Sequence, residues 1–412
     1  MESARLIAGL ARLVRDVGLA EELAQDALVA ALERWPESGV PDNPGAWLMA
    51  TAKHRAIDVL RRRTMLEHKH EELGRELEAQ ERATPDFDAA LDDPVGDDLL
   101  RLIFTACHPV LSAEARVALT LRLLGGLTTA EIARAFLTPE PTIAQRIVRA
   151  KRTLSEARVT FEVPRGADLD ARLSSVLEVV YLIFNEGYAA TEGPDWARPA
   201  LCEEALRLGR VLAELAPGEP EVHGLVALME IQASRLRARV GPKGEPVLLL
   251  DQDRGRWDWL LIGRGLAALE RAYALGGRPG TYALQAAIAA CHARARVAEE
   301  TDWARIAVLY GELGRLAPSP VVELNRAVAV AMAEGAAAGL EIADALKSEP
   351  ALKSYHLLPA VRGDLLAKLG RDEEARAEFE RAASLTRNAR EREMLRGRAA
   401  ACARGTSAGP AS

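Results

Sequence analysis

Hydrophobic positions in the first 63 residues recur at helical spacing in three runs. One predicts a helix over roughly Ala4–Asp16. A second runs from about Ala20 to Trp35, with Leu23, Ala27, Ala30 and Ala31 at core spacing. Pro36 to Pro44 (PESGVPDNP) reads as turn material. The third helix, GAWLMATAKHRAIDVLRRR, carries Trp47, Ala50, His54 and Asp58 on one stripe and closes on Arg61–Arg63. Cations at a helix C-terminus are favourable against its dipole, which accounts for these arginines without any ligand.

The pattern tightens between Thr128 and Leu154. Thr128 and Glu131 form a capping box, and Ile132 and Phe136 give the helix that follows one apolar face. Leu137–Pro141 breaks it, because proline lacks the amide a continuing helix needs. In the next helix Ile143, Ile147, Ala150 and Leu154 share one face. Thr142, Gln145, Arg146, Arg149 and Arg152 take the opposite face, with Lys151 at its flank and no acidic residue from Thr142 to Ser155. An exposed face of donors and cations, held by a buried apolar face, suits insertion into the DNA major groove, so this stretch predicts a helix-turn-helix.

Between these blocks, residues 64–98 carry no sustained apolar period, and a solvated tether is expected. As a coil it spans on the order of 30–35 Å. Beyond residue 164 helical spacing resumes and persists to about Leu395, with residues 403–412 expected to be disordered. The phrase Leu215-Ala216-Pro217 returns as Leu316-Ala317-Pro318, an offset of 101 residues that is close to three tetratricopeptide periods of about 34. Gly370–Phe379, followed by Ala382, resembles the second half of such a repeat. Polar clusters decorate this region: Asn185, Glu186 and Tyr188; Asp253, Arg254 and Trp257; Asp302 with Trp303; and Asn325 with Arg326. Two roles are open to them, a binding groove or the capping of helices.

Composition narrows the class. Hydrophobic residues make up 49% but aromatics only 4%, which suits packed helices. The net charge of −7 is unevenly spread. Residues 1–63 hold nine basic and nine acidic groups, residues 64–98 three and twelve, and residues 99–163 nine and five. The acidity therefore lies in the tether, and the helix-turn-helix block is basic. Cys107, Cys202, Cys291 and Cys402 lack paired spacing for a metal or redox motif, and reduced thiols are expected. The N-terminus has no apolar signal core and no run is long enough to span a bilayer, so a cytoplasmic protein without membrane contact is expected. No nucleotide or metal motif is present, which disfavours an enzyme and implies no cofactor.

AEELAQDALVAALERW, then PDNPGAWLMATAKHRAIDVLRRR, then the helix-turn-helix resemble extracytoplasmic-function sigma factors, the dissociable subunits that direct bacterial RNA polymerase to promoters. The resemblance implies region 2 over 1–63, an acidic linker over 64–98 and region 4 over 99–163. It implies that Glu22, Gln25 and Asp26 grip the β′ clamp helices of core polymerase, which also contacts this protein through its β subunit. It assigns the −10 element of promoter DNA to Asp42, Asn43, Trp47, Lys53, His54, Arg55, Arg61, Arg62 and Arg63. The −35 element falls to Thr142, Gln145, Arg146, Arg149, Lys151 and Arg152. Trp47 is equally suited to anchoring a core. YLIFNEGYAATEG and LNRAVAV resemble the subgroup with a tetratricopeptide-like extension, here 164–402, which implies a regulatory tail contacting the sigma domains within the molecule.

The expected fold is thus all-α: two small helical sigma domains and a C-terminal helical repeat domain. Its expected function is promoter-specific transcription initiation. The rival reading is a helix-turn-helix regulator with a repeat-type sensor, not bound to polymerase. The block 20–63 separates the two, since such a regulator has no use for a polymerase-gripping helix joined to a melting helix.

Overall fold

The computed structural model describes residues 2–72, 95–136, 138–189, 197–242 and 245–406. These residues fold into helices, and the chain divides into two compact units, Met1–Val180 and Tyr181–Ser412. Residues 73–94 of the expected tether and 407–412 of the expected disordered tail lie outside the described residues.

In the first unit, α1 (Glu2–Val14), α2 (Val17–Ser38) and α3 (Pro44–Glu72) pack through Leu10, Ala11, Leu23, Ala27, Leu48, Ala52 and Ala56, all buried. Asp16 caps α2 by accepting the Leu19 N–H at 2.9 Å. The expected turn at Pro36 is displaced, because α2 continues through the proline to Ser38. A proline near a helix end forfeits its own amide bond without blocking the final turn. Gly39, at φ +79°, provides the stop and donates its N–H to the Trp35 carbonyl at 3.0 Å. Likewise α3 runs past Arg63 into the acidic segment, to Glu72.

The chain resumes with α4 (Val95–Ala106), α5 (Ala113–Leu123), α6 (Thr129–Ala135) and α7 (Glu140–Glu156), followed by α8 (Ala167–Tyr188). The first part of α8 is tied to this unit. Arg172 donates to the Phe104 carbonyl at 2.9 Å, and Ser175 Oγ donates to the Cys107 carbonyl at 2.6 Å. Arg116 pairs with Glu178 at 3.0 Å. The first unit therefore reaches beyond Val163, where the pattern of the sequence places the end of the helix-turn-helix domain.

The second unit continues with α9 (Pro199–Leu215), α10 (Pro220–Ala233), α11 (Trp259–Ala274), α12 (Thr281–Arg294), α13 (Trp303–Leu316) and α14 (Pro320–Glu334). It ends with α15 (Ala336–Ala345), α16 (Leu357–Lys368), α17 (Asp372–Leu385) and α18 (Ala389–Thr406). Most of these helices pack on their neighbours in the chain, and α12 packs chiefly on α10, two helices back. The repeated phrase marks equivalent turns. Ala216 (φ −129°, ψ 61°) and Ala317 (φ −134°, ψ 79°) each end a helix by donating 2.8 Å bonds, to the Leu212 and Leu313 carbonyls. Pro220 and Pro320 then open α10 and α14 at the position where proline's missing N–H costs nothing. Between α10 and α11, Val240 and Pro246 form an antiparallel bridge in a connection that otherwise holds short 3-10 turns.

Candidate nucleic-acid interface

The helix-turn-helix is built as its sequence pattern requires. The Thr128 N–H donates to the Glu131 carboxylate at 2.8 Å and the Glu131 N–H returns to Thr128 Oγ1 at 3.2 Å, closing the capping box at the start of α6. Pro139 stands at the N-cap of α7, with Pro141 in its first turn. Ile143, Ile147, Ala150 and Leu154 are buried. Thr142, Gln145, Arg149 and Arg152 are exposed, and Arg146 is half-buried.

Thr142, Gln145, Arg146 and Arg149 line an open groove of about 360 Å³, closed on its other side by Ser112 and Ala115 of the α5 N-terminus. The groove is lined by donors and two guanidinium groups. Glu114 borders Arg146; hydrogen bonds from its own backbone and from Ser112 hold its carboxyl below the usual range. Arg152 points elsewhere and pairs with Glu156 at 2.6 Å.

Lys151 is engaged within the protein. Its ammonium pairs with Glu21, a 4% exposed carboxylate on α2, and Arg122 of α5 donates to the same carboxylate at 2.7 Å. Oε2 of Glu21 lies within ion-pair reach of Lys151 but lacks hydrogen-bond geometry, so the contact is primarily electrostatic. Gln25 completes the group, donating to Glu21 at 2.8 Å. A second tie joins Arg12 of α1 to buried Asp98 of α4 at 3.3 Å. The sequence offers one signal for Glu21: it interrupts the apolar stripe Val17, Ala24, Leu28, Ala31. Its partners, a hundred and more residues away, leave no such trace.

The candidates for the −10 element are spread along α3 and the loop before it. Asp42 and Asn43 are exposed, and Asn43 caps α3 by accepting the Ala46 N–H at 3.1 Å. Trp47 is half-buried and meets Trp35 edge-on with ring centroids 5.5 Å apart. Lys53 is half-buried, while His54, Arg55 and Arg61 are exposed. Arg62 and Arg63 lie on the same helix. On α2, Glu22, Gln25 and Asp26 share an exposed face with Val29, and Leu32 flanks it at 76% exposure. Asp26 pairs with Arg55 at 3.2 Å.

In the second unit the candidate groove residues are mostly engaged internally. Glu186 pairs with Arg198, and Tyr188 lies beneath Arg239, 3.7 Å from guanidinium carbon to ring centroid. Asn185 is half-buried, and its backbone carbonyl accepts the Ala189 N–H at 2.9 Å. Asp253 is exposed and caps a 3-10 turn by accepting the Gly255 N–H at 2.9 Å, whereas Arg254 and Trp257 are buried. Burial pushes the Cys107 thiol up to about 11 and the Cys202 thiol to about 12, so neither ionises near neutrality. No group of three or more His, Cys, Asp or Glu suited to a metal occurs among the described residues, and none of their helices is long and apolar enough to cross a membrane.

Comparison with known proteins meets the geometry at three places. Residues 2–65 match the family described as Sigma-70 region 2, residues 101–154 match Sigma-70, region 4, and residues 172–273 match a family of unknown function, DUF6596. The chain is 45% identical over 389 residues to an uncharacterized protein of Rhizobium meliloti (strain 1021), covering 94% of this chain and 90% of that one. It is 31% identical over 153 residues to the ECF RNA polymerase sigma factor SigK of Mycobacterium ulcerans (strain Agy99), covering 35% of this chain and 75% of SigK. No solved structure matches it.

Proposed function

We propose, from the premise that this chain belongs to the ECF RNA polymerase sigma factor family, that it brings core polymerase to specific promoters, opens the −10 element and is modulated by its own helical tail. The observation that carries the reading is the groove on α7. Thr142, Gln145, Arg146 and Arg149 converge there on a face backed by four buried apolar residues. Bidentate side-chain contacts to base edges each supply about 1–3 kcal/mol of discrimination.

Promoter opening falls to the loop before α3 and to α3 itself. Separating strands costs about 1.4 kcal/mol per base-pair step, and stacking an unpaired base on an aromatic ring returns a comparable amount. Trp47 is the aromatic residue placed for this, with Lys53, Arg55 and Arg61 to neutralise phosphates. The polymerase grip falls to the α2 face of Glu22, Gln25 and Asp26, where exposed Val29 and Leu32 supply apolar area for a partner.

Tail modulation is supported by α8, whose first part is bonded to α4 and to the segment that follows it through Arg172 and Ser175. The deciding experiment is run-off transcription by core polymerase with and without the protein, and with a chain cut after Val180, which keeps those bonds. Promoter-specific transcripts that require the protein support the reading. Their absence with active core polymerase leaves a DNA-binding regulator. Equal output from the cut and full chains removes the tail from the mechanism.

A further inference from the structure

One buried cation of the second unit stands without a carboxylate partner among the described residues. Arg235 at the end of α10 is 7% exposed, and its guanidinium carbon lies 6.0 Å from the Tyr188 ring centroid and 5.9 Å from that of Trp257. Arg239 covers the same tyrosine at 3.7 Å, and Arg254 covers the same tryptophan at 4.6 Å. Three guanidinium groups thus share two rings.

Arg254 is satisfied by neutral acceptors, donating to the His292 and Ala295 carbonyls at 2.6 Å each and to Thr301 Oγ1 at 3.3 Å. Arg235 has no such arrangement. Among the described residues no carboxylate pairs with it, and its Nε lacks a hydrogen-bond partner, as do Trp257 Nε1 and His292 Nδ1 nearby. His292 adds no charge of either sign: burial, reinforced by Arg235 and Arg254, pushes its imidazole down to about 3. Ring faces attract cations but are not counter-ions. A buried charge is costly unless it is paired and hydrogen-bonded, so this arrangement is incomplete without an anion.

An open cavity of about 560 Å³ is lined by Trp257 together with Arg237, Arg256 and Asp258, and Arg235 lies outside that lining, 5.9 Å from the Trp257 ring centroid. The carboxylate of Asp258 is committed to capping α11, accepting the Leu260 and Leu261 N–H groups at 3.0 and 3.1 Å. Arg237 and Arg256 are exposed, and they give the mouth a positive rim that concentrates anions.

We propose that the second unit binds a small oxyanion, a carboxylate or a phosphate, in this cavity, with Trp257 Nε1, Arg237 and Arg256 as donors and the unpaired charge of Arg235 behind the Trp257 ring as its counter-charge. The site is independent of promoter recognition. It gives the tail a chemical input: a small anionic molecule that completes its core.

The test is thermal unfolding of the full chain titrated with sodium phosphate or sodium acetate, at ionic strength held constant with chloride. A saturable rise in the unfolding temperature is expected with at least one anion; phosphate alone identifies a phosphate site, and acetate alone a carboxylate site. Arg235→Met abolishes the rise, Arg235→Lys raises the midpoint concentration at least tenfold, and Trp257→Phe raises it severalfold. Arg149→Ala, which strips the basic groove of α7, leaves it intact. Should Arg235→Met fail to fold, Arg235→Lys and the wild-type titration decide. No saturable rise with either anion, or equal midpoints in wild type and Arg235→Lys, overturns the proposal.

Discussion

Lys151 on α7 forms an ion pair with Glu21 on α2, a carboxylate buried between region 2 and region 4. On the proposed function, promoter elements nearly two helical turns apart, at about 34 Å per turn, require the two regions to separate. Under that reading Lys151, offered to DNA in the complex, is also a fastener of the unbound protein.

Glu21→Gln leaves Arg122 and Lys151 facing one another without their anion. Breaking a buried pair costs about 3–5 kcal/mol. Both cations are about one-fifth exposed, so a loss of about 2–3 kcal/mol is expected on urea unfolding. A double-mutant cycle with Lys151→Met should return a coupling of about 1–2 kcal/mol. Additive losses would mean that the pair contributes nothing beyond its separate parts.

DNA binding should divide the basic residues by role. Arg149→Ala should lower −35 discrimination by about 1–3 kcal/mol. Lys151→Ala should weaken all duplexes alike and reduce the salt slope by about 0.9, as Lys151 exchanges Glu21 for a phosphate. Fluorescence anisotropy against salt concentration reads both effects. An unchanged slope for Lys151→Ala would keep the lysine on Glu21 in the complex.

At the polymerase face, Asp26→Arg should weaken core polymerase binding at least tenfold while leaving the fold intact. The pair Asp26 forms with Arg55 is largely exposed, 63% and 43% for the two side chains, and contributes under about 1 kcal/mol. Titration with labelled core polymerase checks the affinity, and circular dichroism the fold. Equal affinity would remove this face from the interface.

The second unit should weaken in acid through His292. Its folded value near 3 lies below the unfolded value of 6.5, so between them only the unfolded chain holds the proton. Stability from this group is complete above pH 6.5 and falls as pH drops, at about 1.4 kcal/mol per unit. At pH 5 the loss should reach about 2 kcal/mol relative to His292→Gln. Unfolding of the two proteins at pH 7.5 and pH 5 measures the difference; parallel losses would assign the acid sensitivity to other groups.

What the sequence made legible follows from range. The capping box at Thr128 and Glu131, the apolar face of α7 and the turn at Pro139 depend on residues a few positions apart, and periodicity reports them. Pro36 misled because a turn-rich composition does not say which turn residue ends the helix; Gly39 does, through its positive φ. Glu22, Gln25 and Asp26 follow from the family resemblance, whereas Glu21, a buried carboxylate, is explained only by cations distant in the chain. The same holds for Arg254, one of the polar decorations of the tail, which proves to be a buried donor to three neutral acceptors.

The twin turns at Ala216 and Ala317 bear on how such a tail can change over evolutionary time. Helices that lean on partners one or two elements away in the chain accumulate stability interface by interface. Insertion or loss of a whole helix pair at such a turn alters reach and surface without asking the remaining pairs to repack. Length then becomes an adjustable property of the second unit, set in steps of one pair, while the first unit keeps its own core.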